Sequence, residues 1–492
     1  MDTEILSRIQ FALTAGFHFL FPPVSIGFAV FLALVELAYL KTGDKKFLAA
    51  AKFFAKLFAM IFAVGVVTGI ILVFQFGTNW PVYSKFVGDV FGSPLAIEAV
   101  FAFFMESTFL AVVLFGWDRV GRKAHFFATV MVCIGSHLSA VWIIAANSFM
   151  QTPDGYALVA EKQNAGGSKI VEELPKGYVP TPAEVANTRA QITDFCAMAL
   201  NKSTLDRLSH TVAAAWLSGG FLALGVCSFY VLRRRRESEF AVPCGKIALA
   251  FSAVAAVAMY ATGHHSASKL AVNQPEKLAA FEGHYETSER APLYIFGIVD
   301  EKNKTVRGLK VDGFFSLLAF GDLSAEVKGL NELPSDEFIM KAESIKPSAS
   351  AAAEAARARP KYWAPVQFCF QSFRIMVYLG CAIGALSAFG CLLWARGRLF
   401  DPDSKFSRLF MVCAMPSFAL PLIASQAGWA AAEVGRQPWI VWHLLRTSDA
   451  VSTNASAGEI LFSILLFTSL FAAVSSVFCA AFARKIRIGA GQ

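Results

Sequence analysis

The stretch GWAAAEVGRQPW, residues 428–439, places a carboxylate at the end of an otherwise apolar helix. An acid at the end of a membrane helix costs free energy unless it is paired, hydrated or bound to a cation, so Glu433 is a candidate functional residue. Arg436 follows one helical turn later and can hold this carboxylate ionised. Trp429, on the preceding turn, has the amphipathic character of an interface anchor. The stretch therefore predicts the end of a membrane span that carries a paired charge.

The composition of the chain is that of a membrane protein with several spans. Its 492 residues are 56% hydrophobic and include 47 phenylalanines, and the mean hydropathy is +0.52. The start, MDTE at residues 1–4, carries acids where a secretory signal carries basic residues, which predicts a retained first span. The nine cysteines show no Cys-x-x-Cys pair, so we expect them to be small buried hydrophobes.

Apolar runs long enough to cross a bilayer predict an all-α polytopic membrane protein with nine transmembrane helices in bundles. The runs cover residues 9–40, 53–76, 95–117, 125–149, 210–232, 247–263, 366–395, 409–432 and 459–482. One set of connections holds twenty Lys and Arg residues, among them four arginines at 233–236, and the other short segments hold four. The positive-inside rule then predicts a periplasmic N-terminus and a cytoplasmic C-terminus. The net charge of +8 reflects this topology and not nucleic-acid binding.

Two long polar connections separate the spans into groups. The resulting segments are 1–149 with helices one to four, 150–209 as a periplasmic loop, 210–263 with helices five and six, 264–365 as a second periplasmic loop, and 366–492 with helices seven to nine. The first loop contains Gly166, Gly167 and several prolines, and is expected to be mostly irregular. The second has an amphipathic piece near 274–286 and an Ala-rich helical stretch at 348–358.

Polar residues inside the predicted spans are candidates for function. His18 precedes Pro22–Pro23, which predicts a kink beside the histidine; the residue is either a metal or haem ligand or a hydrogen-bonded packing group. Glu98 and Glu106 share one sector of the third span, about 12 Å apart along its axis. They fit a proton path, or are structural acids paired with a base. His137 is expected to pack helices together.

His210 opens the fifth span, and Met376 lies two residues after Arg374 in the seventh. A histidine nitrogen with a methionine sulfur makes a closed, six-coordinate haem that passes electrons without binding a ligand. A methionine by itself is more often a core residue. Arg374 favours the haem interpretation, since a buried guanidinium near the outer boundary can offset the charge of haem propionates.

The candidate residues cluster at one depth. With the predicted orientation, the residues in the outer half of the membrane are His18, Glu98, His210, Arg374, Met376, Glu433 and Arg436, whereas Glu106 lies nearer the middle. Potential ligands aligned on different helices are what a bundle needs to bind flat cofactors.

Eight short motifs together give a specific resemblance to a known family. They are SRIQFALTA (7–15), FQFGTNW (74–80), PLAIE (94–98), ESTF (106–109), FGWDR (115–119), HTV (210–212), FRIM (373–376) and GRQPW (435–439). With these motifs, which span nearly the whole chain, the sequence resembles subunit I of cytochrome bd-type quinol oxidases.

The resemblance implies three haems. His210 and Met376 correspond to the axial ligands of a low-spin haem b of the b558 type. His18 and Glu433 correspond to the ligands of two high-spin haems, one haem b of the b595 type and one haem d, in either assignment. Some relatives with a shorter quinol loop carry haem b in place of haem d, so the third haem is either haem d or haem b. Trp429 belongs to the same haem environment.

The resemblance also implies the substrates and the proton groups. Glu98, Glu106 and Ser107 match positions that the family uses near the haems and in proton delivery. In QPEKLAAFE (274–282), Lys277 and Glu282 match the quinol-binding positions. A donor and a proton acceptor five residues apart suit a quinol, although a solvated amphipathic helix has the same pattern.

The implied protein is a terminal oxidase of the bacterial cytoplasmic membrane that oxidises quinol on the periplasmic side and reduces O2 to water. Its implied partners are a second large subunit, a small single-helix subunit, quinol, O2 and the lipid bilayer. Proton uptake from the cytoplasm would generate a proton motive force without a pump. Val73 and Gln426 stand where some members carry acids. The alternatives are a proton-coupled transporter, and a haem electron-transfer subunit that does not reduce O2.

Overall fold

A computed structural model describes residues 2–163, 169–235, 237–348 and 350–490. Gly166, Gly167 and Arg236, which entered the sequence argument, lie outside the described residues. The protein is a bundle of long helices with two polar regions at one end. We call that end the loop side and the opposite end, which carries Lys45, Lys46 and Arg122, the basic side.

The helices account for most of the chain. In chain order they are α1 (Thr3–His18), α2 (Pro22–Thr42), α3 (Lys45–Thr78), α4 (Pro81–Phe86), α5 (Gly88–Ile97), α6 (Phe104–Phe115), α7 (Arg122–Gln151), α8 (Pro182–Val185), α9 (Phe195–Ala199), α10 (Thr204–Leu232), α11 (Ser238–Asn273), α12 (Pro275–Glu282), α13 (Phe314–Phe320), α14 (Asp336–Ala342), α15 (Ala351–Ala358), α16 (Val366–Ala395), α17 (Lys405–Ala414), α18 (Ala419–Val434) and α19 (Ala457–Ile488). A π-helical turn, Glu98–Phe103, joins α5 to α6.

The predicted all-α polytopic class is confirmed. Among the described residues, eight helical segments are long and apolar enough to cross a membrane, and α17 with α18 adds a ninth, bent by 43°. The first span is α1 and α2 together, broken at the point where Pro22 begins α2. The sixth span, α11, has 36 residues and is longer than the predicted 247–263, because its polar ends continue the helix beyond the apolar run.

The core of the bundle lies around α10, most of which is buried. Its glycines permit unusually close approach to α2. A Cβ at Gly219 would lie 2.1 Å from the Phe28 backbone nitrogen, and a Cβ at Gly27 would lie 2.1 Å from the Ala215 carbonyl oxygen. Small residues at a helix crossing let the backbones pack directly, which replaces the hydrophobic driving force that lipid does not supply.

The region 150–209 differs from the prediction of a mostly irregular loop. It contains an antiparallel sheet of order β2-β1-β3, formed by β1 (Tyr156–Gln163), β2 (Lys169–Glu173) and β3 (Thr188–Ile192). Leu158 and Ala190 of this sheet join a buried cluster with Phe149 at the end of α7. The prolines and glycines suggested a loop, but the segment has enough apolar residues to seat a small sheet on the helix ends.

The region 264–365 sits beside it on the loop side. The predicted amphipathic piece corresponds to α12, and the predicted Ala-rich stretch corresponds to α15. Between them, β4 (Leu293–Asp300) and β5 (Thr305–Val311) form a hairpin. A last short pair, β6 (Trp439–Val441) and β7 (Leu445–Arg446), follows α18. These pieces surround the ends of α7, α16 and α18, where the candidate residues lie.

Candidate functional site

Glu433 lies in a pocket of polar side chains at the loop side. Its Oε2 is 2.5 Å from Nη2 of Arg436, as the sequence predicted. Its Oε1 accepts hydrogen bonds from Asn147 Nδ2 at 3.2 Å and Gln151 Nε2 at 3.4 Å, both on α7. The last turn of α7 therefore holds one carboxylate oxygen, while the arginine after α18 holds the other.

Two more basic side chains surround this pocket, so that three basic groups face one carboxylate. Arg207 donates from Nη2 to the Asn147 side-chain oxygen, and Lys277 donates from Nζ to Gln151 Oε1 at 2.7 Å. Arg207 and Lys277 both lie close enough to Glu433 to interact with it electrostatically. Arg207 Nε and Arg436 Nη1 are buried without a hydrogen-bond partner among the described residues. The pocket thus has a positive charge and free donors that an anionic group would satisfy.

Lys277 is fully enclosed in this pocket. Only 2% of the residue is exposed, and its side chain also lies 3.3 Å from Gln274 Oε1. Burial and the nearby Arg207 guanidinium lower the pKa of Lys277 well below its ordinary value. A lysine in this setting gives up its proton more readily than a solvated lysine does.

His18 contacts α3 through a Thr-Gly pair. Its Nδ1 lies 3.0 Å from Thr68 Oγ1, whose own proton points to the Val64 carbonyl oxygen at 2.9 Å. The next residue is Gly69, where a Cβ would lie 3.2 Å from His18 Cε1. The threonine fixes one ring nitrogen, and the glycine makes room for the ring.

His210 has the same arrangement on a different helix. Its Nδ1 lies 3.2 Å from Thr262 Oγ1 on α11, and this hydroxyl donates to the Ala258 carbonyl oxygen at 2.8 Å. A Cβ at Gly263 would lie 3.1 Å from His210 Cε1. A Thr-Gly pair therefore orients the ring and leaves space for it at both histidines.

The threonines set which nitrogen of each histidine carries the proton. Each hydroxyl has one proton, and that proton is used on a carbonyl one turn earlier, so the hydroxyl can only accept from the histidine. Nδ1 must then be the protonated nitrogen in both rings. The Nε2 lone pair is left free, which is the form that binds a metal ion, and the second-shell acceptor fixes the ring orientation.

Met376 on α16 faces α18. A Cβ at Gly428 would lie 2.6 Å from the Met376 sulfur, so only glycine at this position leaves space for the methionine. Helix α11 links this point to His210: Thr262 contacts the histidine, and one turn earlier Met259 lies against Gly380 of α16. The predicted histidine and methionine are therefore on helices that share α11 as a neighbour.

Arg374 and Glu282 form a buried pair, although the sequence assigned them to a haem and to the quinol site respectively. Arg374 Nη2 lies 2.5 Å from Glu282 Oε2, and Nη1 lies 3.2 Å from Oε1. Arg374 Nε donates to the Tyr294 carbonyl oxygen at 2.7 Å. Burial raises the pKa of Glu282, and the guanidinium opposes this shift.

Lys277 and Glu282 do not face each other. Five residues of helix turn their side chains about 140° apart, so α12 presents Lys277 to the Glu433 pocket and Glu282 to Arg374. The helix thus bridges the two groups of candidate residues and does not form one combined donor and acceptor pair.

Trp429 and Gln426 connect α18 to the kink beside His18. The Trp429 ring centroid is 6.4 Å from that of Phe19, and Gln426 Nε2 donates to the Gly16 carbonyl oxygen at 2.8 Å. The resemblance placed an acid of some family members at the position of Gln426, and here the glutamine amide has a structural partner. Trp429 lies one turn before Glu433, between the His18 region and the Glu433 pocket.

The two glutamates of the third span face α7 deeper in the bundle. Glu98 Oε1 accepts from Ser139 Oγ at 2.7 Å. Glu106 is 5% exposed and packs on Gly135, where a Cβ would lie 2.4 Å from the glutamate Cγ. Ser107 is half-buried beside it. Glu98 begins the π-helical turn, a feature that is frequent at functional sites.

His137 has both ring nitrogens engaged. Nδ1 lies 2.7 Å from the Cys133 carbonyl oxygen, and Trp216 Nε1 donates to Nε2 at 2.9 Å. This agrees with the predicted packing role.

The residues fit haem groups. Among the described residues, no hydrogen bond engages Nε2 of His18 or His210, and the Glu433 pocket holds unpartnered guanidinium nitrogens suited to propionates. Three glycines leave space at His18, His210 and Met376. The sequence argument missed a group of supporting residues, namely Thr68, Gly69, Asn147, Gln151, Arg207, Thr262 and Gly263. A signal for four of them was present, because a Thr-Gly dipeptide interrupts both apolar spans.

The fold and the site define a class, a polytopic helical membrane protein whose histidine, methionine and glutamate side chains suit haem. Comparison with known proteins identifies the family. The family model described as "Cytochrome bd terminal oxidase subunit I" matches residues 6–490. The chain belongs to this family, which confirms the resemblance seen in the motifs.

Relatives and a solved structure support this assignment over the full length. "Cytochrome bd ubiquinol oxidase subunit 1" of Bacillus subtilis strain 168 is 38% identical over 100% of this chain and 95% of its own. "Cytochrome bd-II ubiquinol oxidase subunit 1" of Escherichia coli strain K12 is 32% identical, covering 96% and 93%. The bd oxidase structure from Geobacillus thermodenitrificans superposes with a TM-score of 0.80 at 27% identity, covering 99% and 98%.

Family membership establishes the general character of the protein. It is a respiratory terminal oxidase subunit that binds haem, it is a multi-pass protein of the bacterial inner membrane, and it assembles with a second subunit.

Proposed function

We propose that this chain oxidises membrane quinol on the loop side and reduces O2 to water at a pair of high-spin haems. The observation that carries the proposal is the common design of His18 and His210, each with Nδ1 bonded to a threonine and Nε2 free. Two relatives are named ubiquinol oxidase subunits, and a third, 29% identical, is named a putative menaquinol oxidase subunit. These names support a quinol as the electron donor.

Each ligand has an assigned role. His210 and Met376 hold the low-spin haem b, and His18 and Glu433 hold the high-spin haem b and either haem d or haem b. When bound, haem supplies one-electron transfer at a closed six-coordinate iron and O2 binding at an iron with an open position. Arg436 and Arg207 neutralise the anionic groups in the Glu433 pocket.

The quinol site uses both faces of α12. Glu282 takes a proton from the quinol hydroxyl, and its buried position favours proton acceptance because burial raises the pKa of this carboxyl. Lys277 donates a hydrogen bond to the quinol oxygen or exchanges a proton with it. Arg374 ties Glu282 to the helix that carries Met376, two residues further on, so quinol oxidation occurs beside the first electron acceptor.

Protons for water formation enter from the opposite side. Glu106 lies deeper than the haem ligands, and with Ser107 and Glu98 it relays protons toward the loop side. The loop side is periplasmic and the basic side cytoplasmic by the positive-inside rule. Charge separation then follows from geometry, because protons cross more of the membrane than electrons do, and no pumping element is required.

The outward helix faces leave room for partners. α19 is mostly exposed among the described residues and contacts α1 and α3, for example through Gln10 Nε2 to Ser463 Oγ at 2.5 Å. We propose that lipid, the second large subunit and a small single-helix subunit cover such faces.

A reduced-minus-oxidised absorption spectrum of the purified protein, with pyridine haemochrome analysis, tests the proposal. Three haems are expected, with a low-spin signal that His210→Ala or Met376→Leu abolishes or converts to high spin. His264→Gln, at an exposed histidine, is the matched control and keeps all signals. A protein without haem would instead favour a proton-coupled transporter, and haem without quinol-dependent O2 consumption would favour an electron-transfer subunit.

A further inference from the structure

A buried Glu-His pair lies on the basic side, far from the haem ligands. Glu36 on α2 and His125 on α7 are each 2% exposed, and His125 Nδ1 is 2.5 Å from Glu36 Oε1. The other carboxylate oxygen accepts from Thr129 Oγ1 at 2.5 Å. Along α7, 22 residues separate His125 from Asn147 in the Glu433 pocket, which is about 33 Å of helix. The pair therefore belongs to the opposite membrane face and has no part in haem ligation.

The second ring nitrogen of His125 distinguishes this pair from one that only holds helices together. His125 Nε2 is buried and has no hydrogen-bond partner among the described residues. His137, three turns further along the same helix, uses both of its nitrogens in packing contacts. A buried nitrogen left unpaired costs about 1–3 kcal/mol. With Nδ1 bonded to Glu36, the Nε2 atom of His125 is a free proton acceptor.

The His125 ring lies between an aromatic face and a carboxylate. The Trp117 ring lies over His125 with centroids 3.7 Å apart, and an aromatic face attracts an imidazolium cation. Glu36 provides a counter-charge on the other side. The neighbouring charges are Lys52, which lies 5.7 Å over Trp117 and 3.8 Å from Asp118, and Arg122, which stacks on Tyr39 at 5.0 Å.

The polar face of α7 leads from this pair toward Glu106. Thr129 is followed seven residues later by Ser136, two turns along the same face, next to the Gly135 on which Glu106 packs. This interval is about 10 Å of helix. Val132, which is buried, lies between these two residues on α7, so protons need a short water chain to cross this interval.

We propose that the Glu36–His125 pair takes up protons on the basic side and passes them to Glu106. In one cycle, His125 Nε2 accepts a proton from water, and the imidazolium releases a proton to the water chain and returns to the neutral form. One proton moves inward for each electron that quinol supplies, and the pair itself is neither oxidised nor reduced. This inference rests on the proposed oxidase function.

The test measures quinol-dependent O2 consumption of the purified oxidase against pH, with haem content recorded for each variant. Glu36→Gln is expected to keep its haems and its KM for quinol, and to lose about tenfold in kcat near pH 8 with a smaller loss near pH 6, because proton supply becomes limiting as protons become scarce. His137→Gln is the matched buried-histidine control and follows the wild-type pH profile.

A second variant tests the inference if the Glu36→Gln protein fails to fold or assemble. Thr129→Val keeps the pair and removes one hydrogen bond, and a smaller loss of kcat in the same direction is expected. A wild-type pH profile in a variant with full haem content overturns the inference. A wild-type protein that lacks haem overturns the proposed function instead, so the two failures are distinguishable.

Discussion

Arg374 and Glu282 form a bidentate ion pair between helix α12 and helix α16, which carries Met376. Both side chains are nearly fully buried, at 5% and 4% exposure. Removing one partner of such a pair leaves an uncompensated buried charge and costs about 3–5 kcal/mol, whereas replacing both with apolar groups is often neutral.

This relationship predicts opposite outcomes for single and double substitutions. Arg374→Ala is expected to lower the thermal stability of the purified protein strongly, because Glu282 keeps its burial without its partner. The double variant Arg374→Met with Glu282→Leu is expected to recover stability but not quinol oxidation, as measured by thermal unfolding and O2 consumption. Recovery of quinol oxidation in the double variant would show that the pair is structural only.

The threonines beside the two histidines can be tested by a matched pair of substitutions. Thr262→Val removes the acceptor of His210 Nδ1–H, and loss of such a second-shell partner weakens metal binding about 10–100-fold. Thr262→Ser retains the hydroxyl. We expect the valine variant to lose low-spin haem during purification and the serine variant to keep it, with haem measured by pyridine haemochrome. Equal haem retention in both would contradict the tautomer argument.

Gly428 is predicted to be intolerant of a side chain. In Gly428→Ala the new methyl group would lie 2.6 Å from the Met376 sulfur and would displace it. The low-spin signal in the reduced-minus-oxidised spectrum should weaken or shift. Gly92→Ala is the control, since a Cβ at Gly92 meets no atom within 4 Å. An unperturbed low-spin spectrum in Gly428→Ala would remove Met376 from the proposed ligand set.

The buried carboxyl group of Glu276 is expected to make the stability of the folded protein depend on pH. Burial raises the pKa of Glu276 from 4.5 to about 7. The folded protein therefore binds this proton more tightly than the unfolded chain, and stability falls as pH rises from 4.5 to 7, by about 3 kcal/mol at most. Glu276→Gln should raise the melting temperature near pH 8 and leave it almost unchanged near pH 4.5. Glu326→Gln, at an exposed acid, should change neither value.

The sequence predicted the span number and helical class, because apolar runs long enough to cross a bilayer have few alternatives. The pairing of Glu433 with Arg436 followed from helical spacing. The sheet at 150–209 was missed because its strands pack on the ends of helices distant in sequence. Arg207, Asn147 and Gln151 were missed for the same reason, since only the folded bundle brings α7 and α10 to Glu433.

The Thr-Gly pairs are visible in the sequence, but their role could not be predicted from it. A threonine followed by a glycine is common in membrane helices, and only the fold shows which side chain the pair contacts. Met376 and Gly428 show the same dependence, because the space at the glycine is defined only by the opposing helix.

The proposed high-spin ligands His18 and Glu433 come from opposite ends of the chain. Ribosomal synthesis inserts α1 first and α18 almost last, so the complete ligand set does not exist until the eighth span is in the bilayer. The proposed ligand set therefore predicts that haem is loaded at this site late in biogenesis. A nascent chain stalled before α18 would carry Arg207 and Lys277 without the carboxylate that they face, because Glu433 and Arg436 are both synthesised later.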